Sequence, residues 1–233
     1  MTAVPLREFR ELTLALLDED DMTAVLGTVT EAAHEMVPGA DLVSVTLRER
    51  DGHLYTPART SPVAAALDQV QYDHDDGPSV EAARAPGCGY RMSGDLSAER
   101  SWPAFSAATY RYGYASVLSA SLLPAPPRLG LGGALTIYGR RRYGLDGRSR
   151  DIALLLATHA SLAVAATRIA DQFHQAIEAR DLIGQVKGIL MERRGVSADE
   201  AFALLSRASQ HLNIKLSELA SRLAAQPGAL DLL

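Results

Sequence analysis

Apolar residues recur at helical spacing over 6–17 and again over 22–37, so two amphipathic helices are expected first. Over 42–47 the pattern changes to alternation with β-branched types, which predicts a strand. Asp51-Gly52 is a tight-turn pair, and 53–56 would return as the partner strand. Ser61-Pro62 marks the start of a helix that the pattern carries to Val70. A polar loop is expected over 72–78, then a short helix over 79–84, a short strand over 88–92 and a helix over 101–112. Two runs rich in Val, Leu and Ile, 115–123 and 131–138, read as strands, and Pro124-Ala-Pro-Pro127 forbids regular structure between them. Helices flanking an antiparallel sheet make an α+β layered domain.

The character changes at Gly147. No proline occurs from Arg148 to Arg194, so a single long helix is expected, interrupted only by Gly184 and Gly188. Its apolar residues repeat every seven positions through Leu155, Leu162, Ile169, Ala176, Ile183 and Leu190. A second line runs Ile152, His159, Ala166, Phe173, Arg180, Lys187, Arg194. Up to Phe173 the two lines form a coiled-coil seam, with Leu155, Leu162, Ile169 and Phe173 as candidate dimer contacts. Beyond Phe173 the second line turns basic, while Ala179 and Val186 join Ile183 and Leu190 in the apolar stripe. Two shorter helices follow. Ser197-Ala-Asp-Glu200 is a capping box that starts one at Ala198, with Ala201, Phe202, Leu205 and Ala208 as its apolar face. Asn213 is expected to cap the last helix, whose inner face is Leu216, Leu219, Ala220 and Leu223, and Pro227-Gly228 end it. None of the three helices buries its stripe alone, so an all-α three-helix bundle is expected.

Composition narrows the function. The chain of 233 residues is 47% hydrophobic and 22% charged, an ordinary globular balance. No uninterrupted apolar run reaches spanning length, the N-terminus lacks signal-peptide order, and Cys88 is the single cysteine. A cytoplasmic protein without a membrane span or an intrachain disulfide is the expectation. The net charge of −5 argues against a generally basic nucleic-acid binder. That charge is uneven: 178–233 holds seven basic and seven acidic residues, whereas 1–177 holds 16 against 21. Both lysines of the chain, Lys187 and Lys215, lie in the neutral part.

The stretch Arg180-Asp-Leu-Ile-Gly-Gln-Val-Lys-Gly-Ile-Leu-Met191 resembles the ANTAR domain, a family of RNA-binding antitermination modules. Gly195, Ser197, Glu200-Ala-Phe202, Leu205, Ala208 and 216–220 extend the likeness, with Val186 standing where the family carries Ala. The first part resembles a GAF sensor domain of the kind fused to ANTAR modules in actinomycetes. Gly77-Pro-Ser-Val-Glu-Ala82, Asp95-Leu96, Arg100-Ser-Trp-Pro103, Phe105, Gly113, 116–118 and 132–138 carry that likeness. Ser101 interrupts the family's Arg-Trp-Pro, and Ser79 replaces the Cys of Gly-Pro-Cys, so a thiol sensor is ruled out at that loop. The resemblance implies a GAF-like sensor over 1–170 and an ANTAR-like output module over 171–228. It implies a homodimer that holds a pair of RNA stem-loops in the nascent transcript and so prevents a terminator from folding.

Within that reading Lys187, flanked by Gly188 and one turn after Gly184, is a cation on a thinly covered helix. The RNA-contacting set is Arg180, Lys187, Gly188, Met191 and Arg194, with Arg207 and Lys215 as further candidates. Arg193 is assigned to the helix C-terminal dipole. Tyr72, Trp102, Phe105, Tyr112 and Tyr114 either line a pocket for an unidentified small ligand or serve as core; the pattern allows both. Tyr72-Asp-His-Asp-Asp76 has metal-binding residue types, but ligands so adjacent in sequence rarely converge, so no metal and no cofactor is expected. No phosphate loop, nucleophile elbow or HExxH sequence occurs, and the expectation is a regulator, not an enzyme. Two alternatives remain: a ligand- or redox-responsive interaction protein without RNA binding, and a DNA-binding regulator.

Overall fold

The computed structural model describes residues 6–19, 21–49, 51–84, 89–122 and 132–225. The chain divides into two compact units, Met1–Arg168 and Ile169–Leu233.

The first unit opens with α1 (Leu6–Leu17) and α2 (Met22–Met36). Asp21 starts α2 by accepting hydrogen bonds from the backbone N–H groups of Thr23 and Ala24. Five strands then form one antiparallel sheet: β1 (Leu42–Arg48), β2 (Leu54–Arg59), β3 (Tyr90–Ser93), β4 (Ser116–Leu122) and β5 (Gly132–Gly139). Their spatial order is β2-β1-β5-β4-β3. The hairpin turns at Gly52 in the left-handed region, as the Asp-Gly pair predicts, and a bulge between Val45 and Leu47 shifts its register. Between the strands lie α3 (Pro62–His74), α4 (Pro78–Arg84) and α5 (Pro103–Arg111).

The two faces of the sheet are chemically different. Val43, Val45, Leu47, Leu118, Ala120, Leu122, Leu135 and Ile137 are buried with residues of α1, α2 and the long helix α6 (Gly147–Arg194) in one apolar core. On the other face Leu42, Val117 and Tyr138 meet Leu67 of α3, Trp102 at the start of α5 and Phe105 within it. Alternation along each strand sends successive residues to opposite layers. Helix α4 rests directly on β5. A Cβ at Gly132 would stand 2.4 Å from the carbonyl oxygen of Ala83, so only glycine permits this approach.

Helix α6 contributes Ile152, Ala153, Leu156, Ala157, Ala160 and Val164 to the first core. It contains a stretch long and apolar enough to cross a membrane. A third of that stretch is buried, and it includes side chains packed in the first core. In the second unit α6 is followed by α7 (Ala198–Leu212) and α8 (Leu216–Ala225). Val186, Leu190, Ala201, Leu205, Leu219, Ala220 and Leu223 form its core. The Ser197–Glu200 capping box is present with both reciprocal hydrogen bonds.

Several expectations need correction. The segment 72–78 is not all loop. Helix α3 continues to His74 and carries Tyr72, whose hydroxyl hydrogen-bonds with Thr46, and Asp75 ends the helix in the left-handed conformation. Asn213 does not cap α8. It is the left-handed C-terminal residue of α7, at φ 52°, a conformation Asn tolerates better than most residues. Phe202 is exposed, not part of the apolar face of α7. Ile152 belongs to the intramolecular core rather than to a seam, and the His159 ring lies 5.3 Å from that of Phe9. Cys88, the Pro124–Pro127 connector and Pro227-Gly228 lie outside the described residues.

Gly77 provides a direct test of the α3–α4 junction. It sits at φ 139°, and a Cβ there would stand 2.4 Å from Gln71 Oε1. Gly77→Ala should lower the stability of the first unit by about 1–3 kcal/mol, combining backbone strain with displacement of a buried amide. Urea unfolding followed by Trp102 fluorescence measures this; a midpoint matching the wild type would refute the assigned strain.

Candidate functional site

On the polar face of the sheet, Asp68 of α3 is fully buried without a basic partner among the described residues. Its neighbours supply hydrogen bonds instead. The Tyr138 hydroxyl donates to Asp68 Oδ1 at 2.8 Å, and Thr56 Oγ1 donates to Oδ2 at 3.0 Å. Gln71 Nε2 donates to Asp68 Oδ1 at 3.4 Å, and Gln71 Oε1 accepts from the Ser79 backbone N–H at 2.9 Å. The Tyr72 hydroxyl exchanges hydrogen bonds with Thr46 at 2.9 Å and Thr56 at 2.8 Å. One network thus ties α3, the start of α4, β1, β2 and β5 together. Burial raises the Asp68 pKa from 3.8 to about 6, although the bonds from Tyr138 and Thr56 oppose the rise. Burial and the neighbouring carboxyl push the Tyr138 and Tyr72 hydroxyls well above the ordinary phenol range.

The five aromatic candidates do not come together as one group. Trp102, Phe105 and Tyr114 lie in the same buried cluster with Tyr138. Tyr72 is half-buried in the polar network, and Tyr112 is 53% exposed at the end of α5. Trp102 Nε1 donates to Glu81 Oε1 at 2.8 Å, and Arg91 holds the other Glu81 oxygen. Burial works to raise the Glu81 pKa, but these two donors outweigh it and hold the carboxyl below its ordinary value. A groove of about 660 Å³ lies elsewhere, between α2 and the edge strand β2, lined by Thr30, Glu31, His34, Arg59 and Thr60 among others. Sequence reasoning passed over Asp68 and Gln71. Both lie within the helical pattern of 62–74, and an acid in such a pattern reads as a surface residue.

In the second unit the charged stripe is placed on α6. Arg180, Met191 and Arg194 are exposed and Lys187 is half-buried beside the Val186–Leu190 core. Gly184 and Gly188 are exposed, and a Cβ at either position would have nothing within 4 Å. A bare patch of helix backbone therefore adjoins the cations, and a ligand can approach it closely. Arg207 on α7 and Lys215, which precedes α8, are exposed. Of the seam candidates, Leu155 and Leu162 are exposed in the first unit, and Ile169 and Phe173 in the second, Phe173 at 68%.

Residues 171–223 match the family model of the ANTAR domain. No curated protein matches the chain. Among solved structures, the chromophore-binding domain of the bacteriophytochrome RpBphP3 from R. palustris is similar at 12% identity and a TM-score of 0.52, covering 71% of this chain and 62% of that one. The longer RpBphP3 bacteriophytochrome structure is similar at 13% identity and TM-score 0.54, over 86% of this chain and 45% of that one. The photosensory core module of the Stigmatella aurantiaca phytochrome is similar at 16% identity and TM-score 0.58, over 91% and 46%. The chain thus spans between 45% and 62% of the length of these structures. At such identity the likeness establishes the fold: a GAF/phytochrome-type sheet flanked by helices, followed by a long helix and the ANTAR region.

The buried carboxyl generates a pH prediction. Between about pH 4 and 6 the folded chain binds a proton at Asp68 that the unfolded chain has released, so stability falls as pH rises through that window. Asp68→Asn removes the titration. The difference in unfolding free energy, wild type minus Asp68→Asn, should decline from pH 4 to 7 in denaturant melts. A difference independent of pH would contradict the buried, neutral-leaning carboxyl.

Proposed function

With the ANTAR match over 171–223 as the premise, we propose that the chain is a regulator of transcription antitermination whose second unit binds paired RNA stem-loops under control of the first. The observation that carries the reading is the α6 stripe: Lys187 beside two glycines whose surroundings are open, within the matched segment. RNA stem-loops are recognised through backbone shape and unpaired loop bases, so a modest basic stripe suffices when two modules act together. By binding one RNA fold better than its competitor, the protein shifts the balance away from the terminator. Such a protein works in the compartment of nascent transcripts, which is the cytoplasm in a bacterium. The first unit acts here as a ligand-responsive sensor without turnover, a binding role rather than an enzymatic one. The DNA-binding alternative lacks support, because α7 and α8 carry no cluster of Arg, Asn and Gln directed to base edges.

Lys187→Ala should weaken RNA binding and reduce the magnitude of the log–log salt slope by roughly 0.7–0.9 per module. Helicity should not change, since Lys187 is half-buried outside the apolar core and alanine keeps the helix. Arg193→Ala, at the helix end, is the comparison. A salt titration of affinity, with circular dichroism alongside, decides the matter; unchanged affinity and slope for Lys187→Ala would move the RNA contact to α7 and α8.

The exposed Phe173 supports assembly as a homodimer through α6. Phe173→Asp should shift the chain toward monomer in light scattering at micromolar concentration, because the seam would then bury an unpaired charge. A wild-type chain already monomeric under those conditions would remove the proposed assembly.

A further inference from the structure

Phe202 is the only aromatic residue among Phe, Tyr and Trp from 178 to the C-terminus. Helical spacing assigns it to the inner face of α7 with Ala201 and Leu205. Those two are fully buried, but Phe202 is 46% exposed. Its surroundings on α7 do not form an apolar patch. Asp199 is exposed and Ser206 half-buried, and the apolar neighbours that reach the surface are the small Ala198, half-buried, and Ala203, exposed. A protein interface calls for contiguous apolar surface around such a residue. A lone aromatic ring in a polar setting instead suits a flat partner with its own polar rim. An unpaired nucleobase has that shape, and stem-loop recognition uses aromatic rings as stacking platforms for splayed loop bases.

Building on the RNA-binding reading above, we propose that Phe202 is a further RNA-binding residue, on which an unpaired base of the RNA loop stacks. Lys187 and its neighbours would then supply the salt-dependent phosphate term, while Phe202 supplies a salt-independent term sensitive to the loop. The two act through different physics and are separable by measurement.

The full chain is tested against a hairpin pair transcribed from RNA that crosslinks to it, with 2-aminopurine replacing a loop adenine. Phe202→Leu keeps a large apolar side chain but removes the π face. It should weaken binding roughly 5- to 150-fold with an unchanged salt slope and abolish the quenching of 2-aminopurine seen on binding. Phe202→Tyr and Phe202→Trp should stay within about threefold of wild type, since both rings stack. Phe202→Leu binding and quenching like wild type would overturn the proposal while leaving the RNA-binding reading intact. So would a loss accompanied by unfolding in circular dichroism, if Phe202→Tyr lost binding equally. A change of oligomeric state in light scattering with unaltered RNA affinity would assign the ring to a protein contact instead. Failure of the wild type to retain any RNA would overturn both the proposal and the reading it rests on.

Discussion

Both faces of the central strands β1, β5 and β4 must be covered, and the first unit follows from how differently that is done. One face is closed by α1, α2 and α6 with mostly aliphatic side chains. This layer is held by burial of apolar area and tolerates change as long as volume is kept. The other face combines an aromatic cluster with a hydrogen-bonded acid. There the Asp68 carboxyl, the Gln71 amide and the Tyr72 and Tyr138 hydroxyls depend on their neighbours, because a buried group left without a partner loses its hydration for nothing. The end of α3, the left-handed Asp75, the constrained Gly77 and the seating of Ser79 on Gln71 all serve that dependence.

The two faces differ in what they offer a polar ligand. The aliphatic layer offers little to a polar ligand. The layer around Asp68 contains hydroxyls, an amide and a carboxyl near the edge of neutral pH titration. Reorganising it would alter how α3 and α4 lie on the sheet. The second unit solves a simpler problem. Three stripes on α6, α7 and α8 bury one another, and the capping box and the left-handed Asn213 fix where α7 begins and ends. Arg180, Lys187 and the exposed Phe202 lie outside that core.

The sequence by itself determined the order of elements, since the periods of two and 3.6 residues are visible without tertiary context. The strands, the long helix and the capping box at Ser197 were all legible for that reason. The ANTAR segment was legible because its residues follow one another along the chain. Tertiary structure alone decided three things. It placed Asp68 in the interior, which a lone acid in a helical pattern cannot announce, because its bonding partners Thr56 and Tyr138 lie 12 and 70 residues away. It sent Ile152 into the first core and left Leu155 and Leu162 outside, a choice between two stripes of similar apolarity that depends on where the sheet lies. It also turned Phe202 outward. Helical spacing defines a stripe but not its width, and the width is set by how closely neighbouring helices approach.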